Sequence, residues 1–293
     1  MIETPQENNV EDIKREQLVE KIYEAALAEH ERFKEFPKAE LCAIIRDVSR
    51  EIEELEKVAD PKKALSALTP EIAEKISALW VFSGPGTYDD PVKEDRYKNY
   101  SWARGMDRAR LNYSTFLARK LAGLRSETGE IRGPISEATE RKQQAKAVLS
   151  SYGPAVIYNG TEVENSVVLR TVAKPETIMP KEKVHILEGA IKRTTDQIKL
   201  FSLPEALHVA GKEIGIISHD PQLARITRML NRYKTIPPDM TVRLFPLPTP
   251  PEGKEEYATM EIKGLLYYVF LSPDHDAAKE PYPHIVHGEK SAD

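Results

Sequence analysis

Five short apolar runs, each bounded by turn residues and most followed by a helix start, limit what this chain can fold into. They are Leu79-Trp80-Val81-Phe82, Ala155-Val156-Ile157-Tyr158, Val184-His185-Ile186-Leu187, Ile214-Gly215-Ile216-Ile217 and Val242-Arg243-Leu244-Phe245. Runs this short and this apolar read as strands covered on both faces. Thr161 with Glu164 and Thr194 with Gln197 make capping boxes, and Asp220-Pro221 places a cap before a first-position proline. Strands alternating with helices predict a Rossmann-like, doubly wound α/β fold with a mostly parallel five-stranded sheet, in an order such as 3-2-1-4-5.

Other segments surround that unit. Apolar residues at helical spacing (Val10, Ile13, Leu18 and Ile22, then Leu41, Ile44, Ile45, Val48, Ile52 and Leu55) predict two amphipathic helices, broken near Pro37 and ended at Asp60-Pro61. Residues 1–68 read as an N-terminal helical extension and 69–272 as the α/β domain, which opens on Thr69-Pro70-Glu71. Residues 273–293 lack periodicity and read as a flexible tail. Two helices, over about 101–122 and 135–151, fill the first connection, and one over about 254–271 closes the domain.

Residues 1–60 hold 17 acidic and 9 basic residues, a net of −8 in a chain whose formal net charge is −5. That balance argues against nucleic acid as the main partner. The extension either packs its apolar face on the domain or offers it for self-association. No apolar stretch approaches the ~20 residues that span a bilayer, so no membrane partner is expected. The acidic, polar start does not read as a secretory signal. One cysteine, Cys42, excludes an internal disulfide and suits a reducing cytoplasm.

Ligands of open parallel sheets bind beyond the carboxyl ends of the strands, where the strand order reverses. The residues there are Ser83-Gly84-Pro85-Gly86-Thr87, Asn159-Gly160-Thr161, Glu188-Gly189 and Ser218-His219-Asp220. The order 3-2-1-4-5 puts Ser83-Gly84 beside Ser218-His219. Ser83, Gly84, Gly86 and Thr87 fit an anion cradle, because glycine lets amides approach a phosphate; an ordinary strand-end turn uses the same residues. His219 fits a phosphate donor, a proton carrier or a backbone-bound imidazole. Arg225, one turn into the next helix, fits either a bidentate contact to phosphate or a solvated position. Glu188 stands where dinucleotide folds hold a ribose hydroxyl, or is a simple edge acid. Residues 89–125 carry 9 basic and 5 acidic residues. There Arg96, Arg104 and Arg108, with Tyr88, Tyr97, Tyr100 and Trp102, fit a lid that neutralises phosphate and stacks on a base, or a solvated insertion.

Other chemistries are poorly represented. Ser83 lacks the glycine two residues before it that a nucleophile elbow needs, and no Gly-Lys-Ser/Thr completes a phosphate loop. Asp274, His275, Asp276, His284 and His287 fall in the expected tail, so no metal is expected.

Strand-Ser83-Gly84, then Leu187-Glu188 leading to Arg193-Thr194-Thr195, then Ser218-His219 with Arg225 six residues on, resembles the YdcF-like family. That domain, of largely unknown function, is shared with the SanA and ElyC envelope proteins. Its marks are a Ser-Gly-Gly turn, a Glu before a Ser-x-x-Thr-x-x-Asn helix start, and a strand ending in Thr-Ser before His-x-x-Arg-Ala. Here Pro85 follows Gly84, Asp196 and Gln197 occupy the asparagine's stretch, and the arginine comes later after His219. The resemblance covers about residues 79–271. It implies a Rossmann-like fold and a crevice for an adenosyl or phosphorylated ligand such as S-adenosylmethionine.

The leading expectation is a cytoplasmic protein that binds a nucleotide-like or phosphorylated small anion. Ser83, Gly84, Gly86, Thr87, Asn159, Gly160, Thr194, Thr195, Ser218 and Arg225 would form its site. One alternative is phosphoester hydrolysis or group transfer with His219 and Glu188 carrying protons. Another is an interaction protein working through its N-terminal helices.

Overall fold

The computed structural model describes residues 5–84, 97–126, 139–174, 177–189, 191, 193–210, 212–272 and 278–287. Two long helices come first, α1 (Pro5–Glu29) and α2 (Lys38–Lys57), separated by a 3-10 turn at Glu31–Glu35 and by Pro37. Two short helices follow, and their starts are written in the sequence. Asp60 accepts from the amides of Lys62 and Lys63 to begin α3 (Pro61–Ala67), and Thr69 accepts from that of Ile72 to begin α4 (Pro70–Lys75).

The chain then enters β1 (Ile76–Phe82) and continues through α5 (Met106–Arg125), α6 (Thr139–Tyr152), β2 (Ala155–Asn159) and α7 (Glu162–Val172). The Thr161–Glu164 capping box is formed as the sequence indicates. Next come β3 (Val184–Ile186), α8 (Thr194–Leu200), α9 (Pro204–Ala210), β4 (Glu213–His219), α10 (Asp220–Tyr233), β5 (Thr241–Leu247) and α11 (Lys254–Leu266). Past Leu266 the helix widens into a π turn, Tyr267–Leu271. β6 (Ile285–His287) ends the described chain.

Among the described residues the sheet has six strands in the order β3-β2-β1-β4-β5-β6, every neighbouring pair parallel. This is the doubly wound α/β order, and its reversal point lies between β1 and β4. The central strands are almost wholly buried, as their unbroken apolar character requires. No helix among the described residues is long and apolar enough to cross a membrane.

Three expectations change and one open alternative is decided. The sheet has six strands rather than five, because the segment read as a loose tail supplies β6. Ala278 and Tyr282 are buried there, and the Tyr282 hydroxyl donates to the carbonyls of Pro237 and Met240. A three-residue strand held by such distant contacts leaves no periodic trace in the sequence. Second, of the two readings of the N-terminal helices, the structure shows the one in which they pack on the domain, as part of the main core. Leu41, Ile45, Val48 and Leu55 pack in one cluster with Leu223, Ile226, Ile262 and Leu265 of α10 and α11. The apolar face of α2 is therefore covered by the domain. Glu51 reinforces the contact, accepting from Thr227 Oγ1 (3.0 Å) and Arg228 Nε (3.1 Å).

Third, the box that starts α8 lies one residue earlier than Thr194–Gln197, since the Arg193 amide donates to Asp196 Oδ2 (3.0 Å). Fourth, His219 occupies the N-cap position of α10, and Asp220 is its first residue. Thr249 Oγ1 donates to the Asp220 carboxylate.

Candidate functional site

Parallel pairing of β1 with β4, in the register Val81↔Ile217, brings Ser83 and Ser218 onto neighbouring strand ends. A cleft of about 490 Å³ opens beyond those ends. It lies where doubly wound sheets bind ligands and is of ordinary size for a small-molecule site.

Its floor is a closed network of neutral side chains. Ser218 Oγ donates to Gln222 Oε1 (2.6 Å), and Gln222 Nε2 donates to the Ser83 carbonyl and to Thr194 Oγ1 (3.2 Å each). Gln197 Nε2 donates to Ser83 Oγ (2.7 Å) and to the Asn159 carbonyl (2.5 Å). Asn159, fully buried, accepts from Trp80 Nε1 (3.0 Å) and donates to the Gln197 carbonyl (3.0 Å). The Gly160 amide donates to Asn165 Oδ1 (2.9 Å). Ser218, Asn159 and Gly160 thus position the loops, while Ser83, Gly84, Thr161, Thr194 and Thr195 reach the cleft.

Beneath Gly84 lies a buried arginine. Arg110 is fully buried; its Nη1 donates to the Phe82 carbonyl (2.9 Å), its Nε to His219 Nδ1 (2.9 Å) and its Nη2 to the Tyr257 hydroxyl (3.3 Å). Asp107 is its counter-charge at 3.6 Å and also accepts from the Gly84 amide (2.7 Å). A Cβ on Gly84 would stand 2.1 Å from Arg110 Nη1, so the glycine makes room for the guanidinium. Of the expected anion cradle, the Gly84 amide is taken by Asp107, whereas Ser83 lines the cleft. Gly86 and Thr87 of that expectation lie outside the described residues.

The proton-carrier pair does not come together. His219 is 3% exposed and does not line the cleft. Burial, and then the Arg110 charge, hold its pKa well below the usual imidazole value. Glu188 is exposed, beyond the end of β3, and does not line the cleft either. Of the proposed lid, Tyr97 lines the cleft, whereas Tyr100 and Trp102 pack against Tyr257 or its neighbours and Arg104 and Arg108 are exposed elsewhere. Tyr88 and Arg96 lie outside the described residues.

Charge enters from the walls. Arg225 Nη2 donates to Thr194 Oγ1 (2.6 Å), and its Nε lies 2.8 Å from Glu261 Oε2 without the alignment of a hydrogen bond. Burial raises the Glu261 pKa, which the Arg225 charge opposes. Arg193 also lines the cleft, and a hydrogen bond with Tyr268 raises its pKa further. Thr195 Oγ1 is 3.2 Å from the Tyr268 hydroxyl. From α1 and α11, Glu29 and Lys263 close one side, 2.6 Å apart.

Sequence reading missed Arg110, Gln197, Gln222, Glu261, Tyr267, Tyr268, Glu29 and His30. Gln197 and Gln222 were detectable in principle, as amides in the first turn of helices that follow strand ends. The others reach the site only through tertiary packing. Among the described residues, no group of three His, Cys, Asp or Glu side chains is placed to hold a metal. Comparison with protein-family models, curated proteins and solved structures finds no match for this chain.

Proposed function

We propose that this chain binds a nucleotide-like or phosphorylated small molecule, S-adenosylmethionine among the candidates, in the cleft between β1 and β4, and that it works in the cytoplasm. The observation that carries the reading is the convergence of Thr194, Arg225 and Arg193 on a cleft at the reversal point of a doubly wound sheet. A guanidinium beside a hydroxyl suits a phosphate or carboxylate group, and the position is where this architecture binds such ligands. Membership of the YdcF-like family is part of the same proposal and rests on the strand-end residues.

Binding rather than turnover is favoured by the fate of His219, which is buried, neutral and already bonded to Arg110. Calorimetric titration of the full chain with adenosine 5′-monophosphate, S-adenosylmethionine and inorganic phosphate tests the reading. Saturable binding that Arg225→Ala weakens is the expected result. No heat with any of the three, in a folded protein, would overturn it.

A further inference from the structure

The far end of the cleft differs in chemistry from the end at the strands. It is walled by rings: His30, at the close of α1, lies 5.4 Å from Tyr267, and Tyr267 stands edge-on to Tyr268 at 5.5 Å. All three line the cleft and none is fully buried. The two tyrosines lie on the π turn, a backbone irregularity that re-aims side chains and recurs at functional sites. The two ends are physically joined. Thr195 meets Tyr268 at 3.2 Å, and Arg225 passes so near Gly264 that a Cβ there would lie 2.5 Å from its Nη1.

Resting on the reading above, we infer that the cleft has two subsites and that its ligand is a phosphorylated nucleoside. The anionic group sits against Thr194 and Arg225, and the planar heterocycle sits against His30, Tyr267 and Tyr268. The N-terminal helices then supply part of the site instead of only packing on the domain. Rings suit this task because every base presents a π face, and stacking needs no fixed pattern of donors and acceptors. The Glu29–Lys263 ion pair ties α1 to α11 beside these rings.

Two probes separate the subsites: adenosine 5′-monophosphate, and ribose 5-phosphate, which keeps the phosphate and sugar without the base. Titrated into the full chain, His30→Ala and Tyr267→Leu are each expected to weaken the nucleotide about tenfold, as for loss of one stacking partner. Ribose 5-phosphate affinity should stay within twofold. Arg225→Ala is expected to weaken both probes. His30 is partly exposed, so its alanine variant should keep the native melting temperature and serve if Tyr267→Leu does not fold. Equal loss for both probes, or no loss for either, in folded ring variants would overturn the two-subsite assignment and leave the anion site standing. Failure of the wild-type chain to bind either probe would overturn the nucleotide reading and this inference with it.

Discussion

Arg110 Nε donates to His219 Nδ1 across 2.9 Å inside the protein, so the imidazole at the end of β4 serves as an acceptor and is held neutral. A proton on that nitrogen would place two cations in contact and strand a donor. His219 is therefore expected to show a neutral imidazole by NMR at pH 6, where an ordinary histidine is largely protonated. His219→Leu, which leaves the Arg110 Nε–H without a partner, should cost about 1–3 kcal/mol in chemical denaturation. His219→Gln, which can present an acceptor, should cost less. Equal costs would remove the hydrogen bond from the account.

Gly84→Ala tests the same arginine from above. The added methyl meets a guanidinium fixed by three hydrogen bonds, so the usual escape of a flexible side-chain end is closed. A loss of about 1–3 kcal/mol is expected from such overpacking, read as a lower denaturation midpoint at unchanged slope. A neutral result would mean that Arg110 can leave its pocket freely.

On the proposed reading, Glu261, 2.8 Å from Arg225 Nε, would compete with an anionic ligand for that guanidinium. Glu261→Gln removes the charge and keeps the shape, so inorganic phosphate or a nucleotide should bind more tightly by calorimetry. Arg225→Ala should weaken binding by about 1.5–3 kcal/mol through loss of a charge-assisted contact. Arg225→Lys should fall between, because lysine keeps the charge without the planar fork. Weaker binding in Glu261→Gln would show that the carboxylate itself contacts ligand.

Asp220 and His219, adjacent in sequence, act on stability with opposite signs. Burial raises the Asp220 pKa from 3.8 to about 6. Between those values the unfolded chain ionises first, so this residue lowers stability as pH rises from about 4 to 6, by on the order of 3 kcal/mol in total. His219 has its folded pKa depressed below 6.5, so its contribution is complete above that pH and is lost as pH falls below it. Asp220→Asn should therefore raise the melting temperature at pH 7 and leave it nearly unchanged at pH 4. A variant less stable at pH 7 than at pH 4, relative to wild type, would contradict the sign.

Removal of residues 1–60 should expose the apolar face of α10 and α11 that α2 covers, giving a chain that aggregates or melts well below the full protein in calorimetry. Glu51→Gln is the gentler version. It keeps a hydrogen-bonding amide but leaves Arg228, 5% exposed at its side chain, without that charge partner, and a smaller loss is expected. A truncated chain as stable as the whole would return the helices to the status of an independent extension.

The sequence by itself determined the α/β class, the parallel centre of the sheet and the proximity of Ser83 to Ser218. These depend on local signals: unbroken apolar runs, Asp60, Thr69 and Thr161 at helix starts, and the right-handed crossover that parallel strands require. It also named Thr194 and Arg225, because strand ends and the opening turns of the helices that follow them are local features. What only the tertiary structure decided was how each polar side chain satisfies its bonding. Arg110 looked like one of nine basic residues in a solvated stretch, yet packing carried it under Gly84 and made His219 its acceptor. Asp220 looked like a cap and instead receives Thr249 from the loop after β5. Glu29, His30 and the two tyrosines come from opposite ends of the chain and meet at one cleft. No periodicity records such meetings, because burial and hydrogen-bond pairing between distant segments are properties of the packed chain and not of any local stretch.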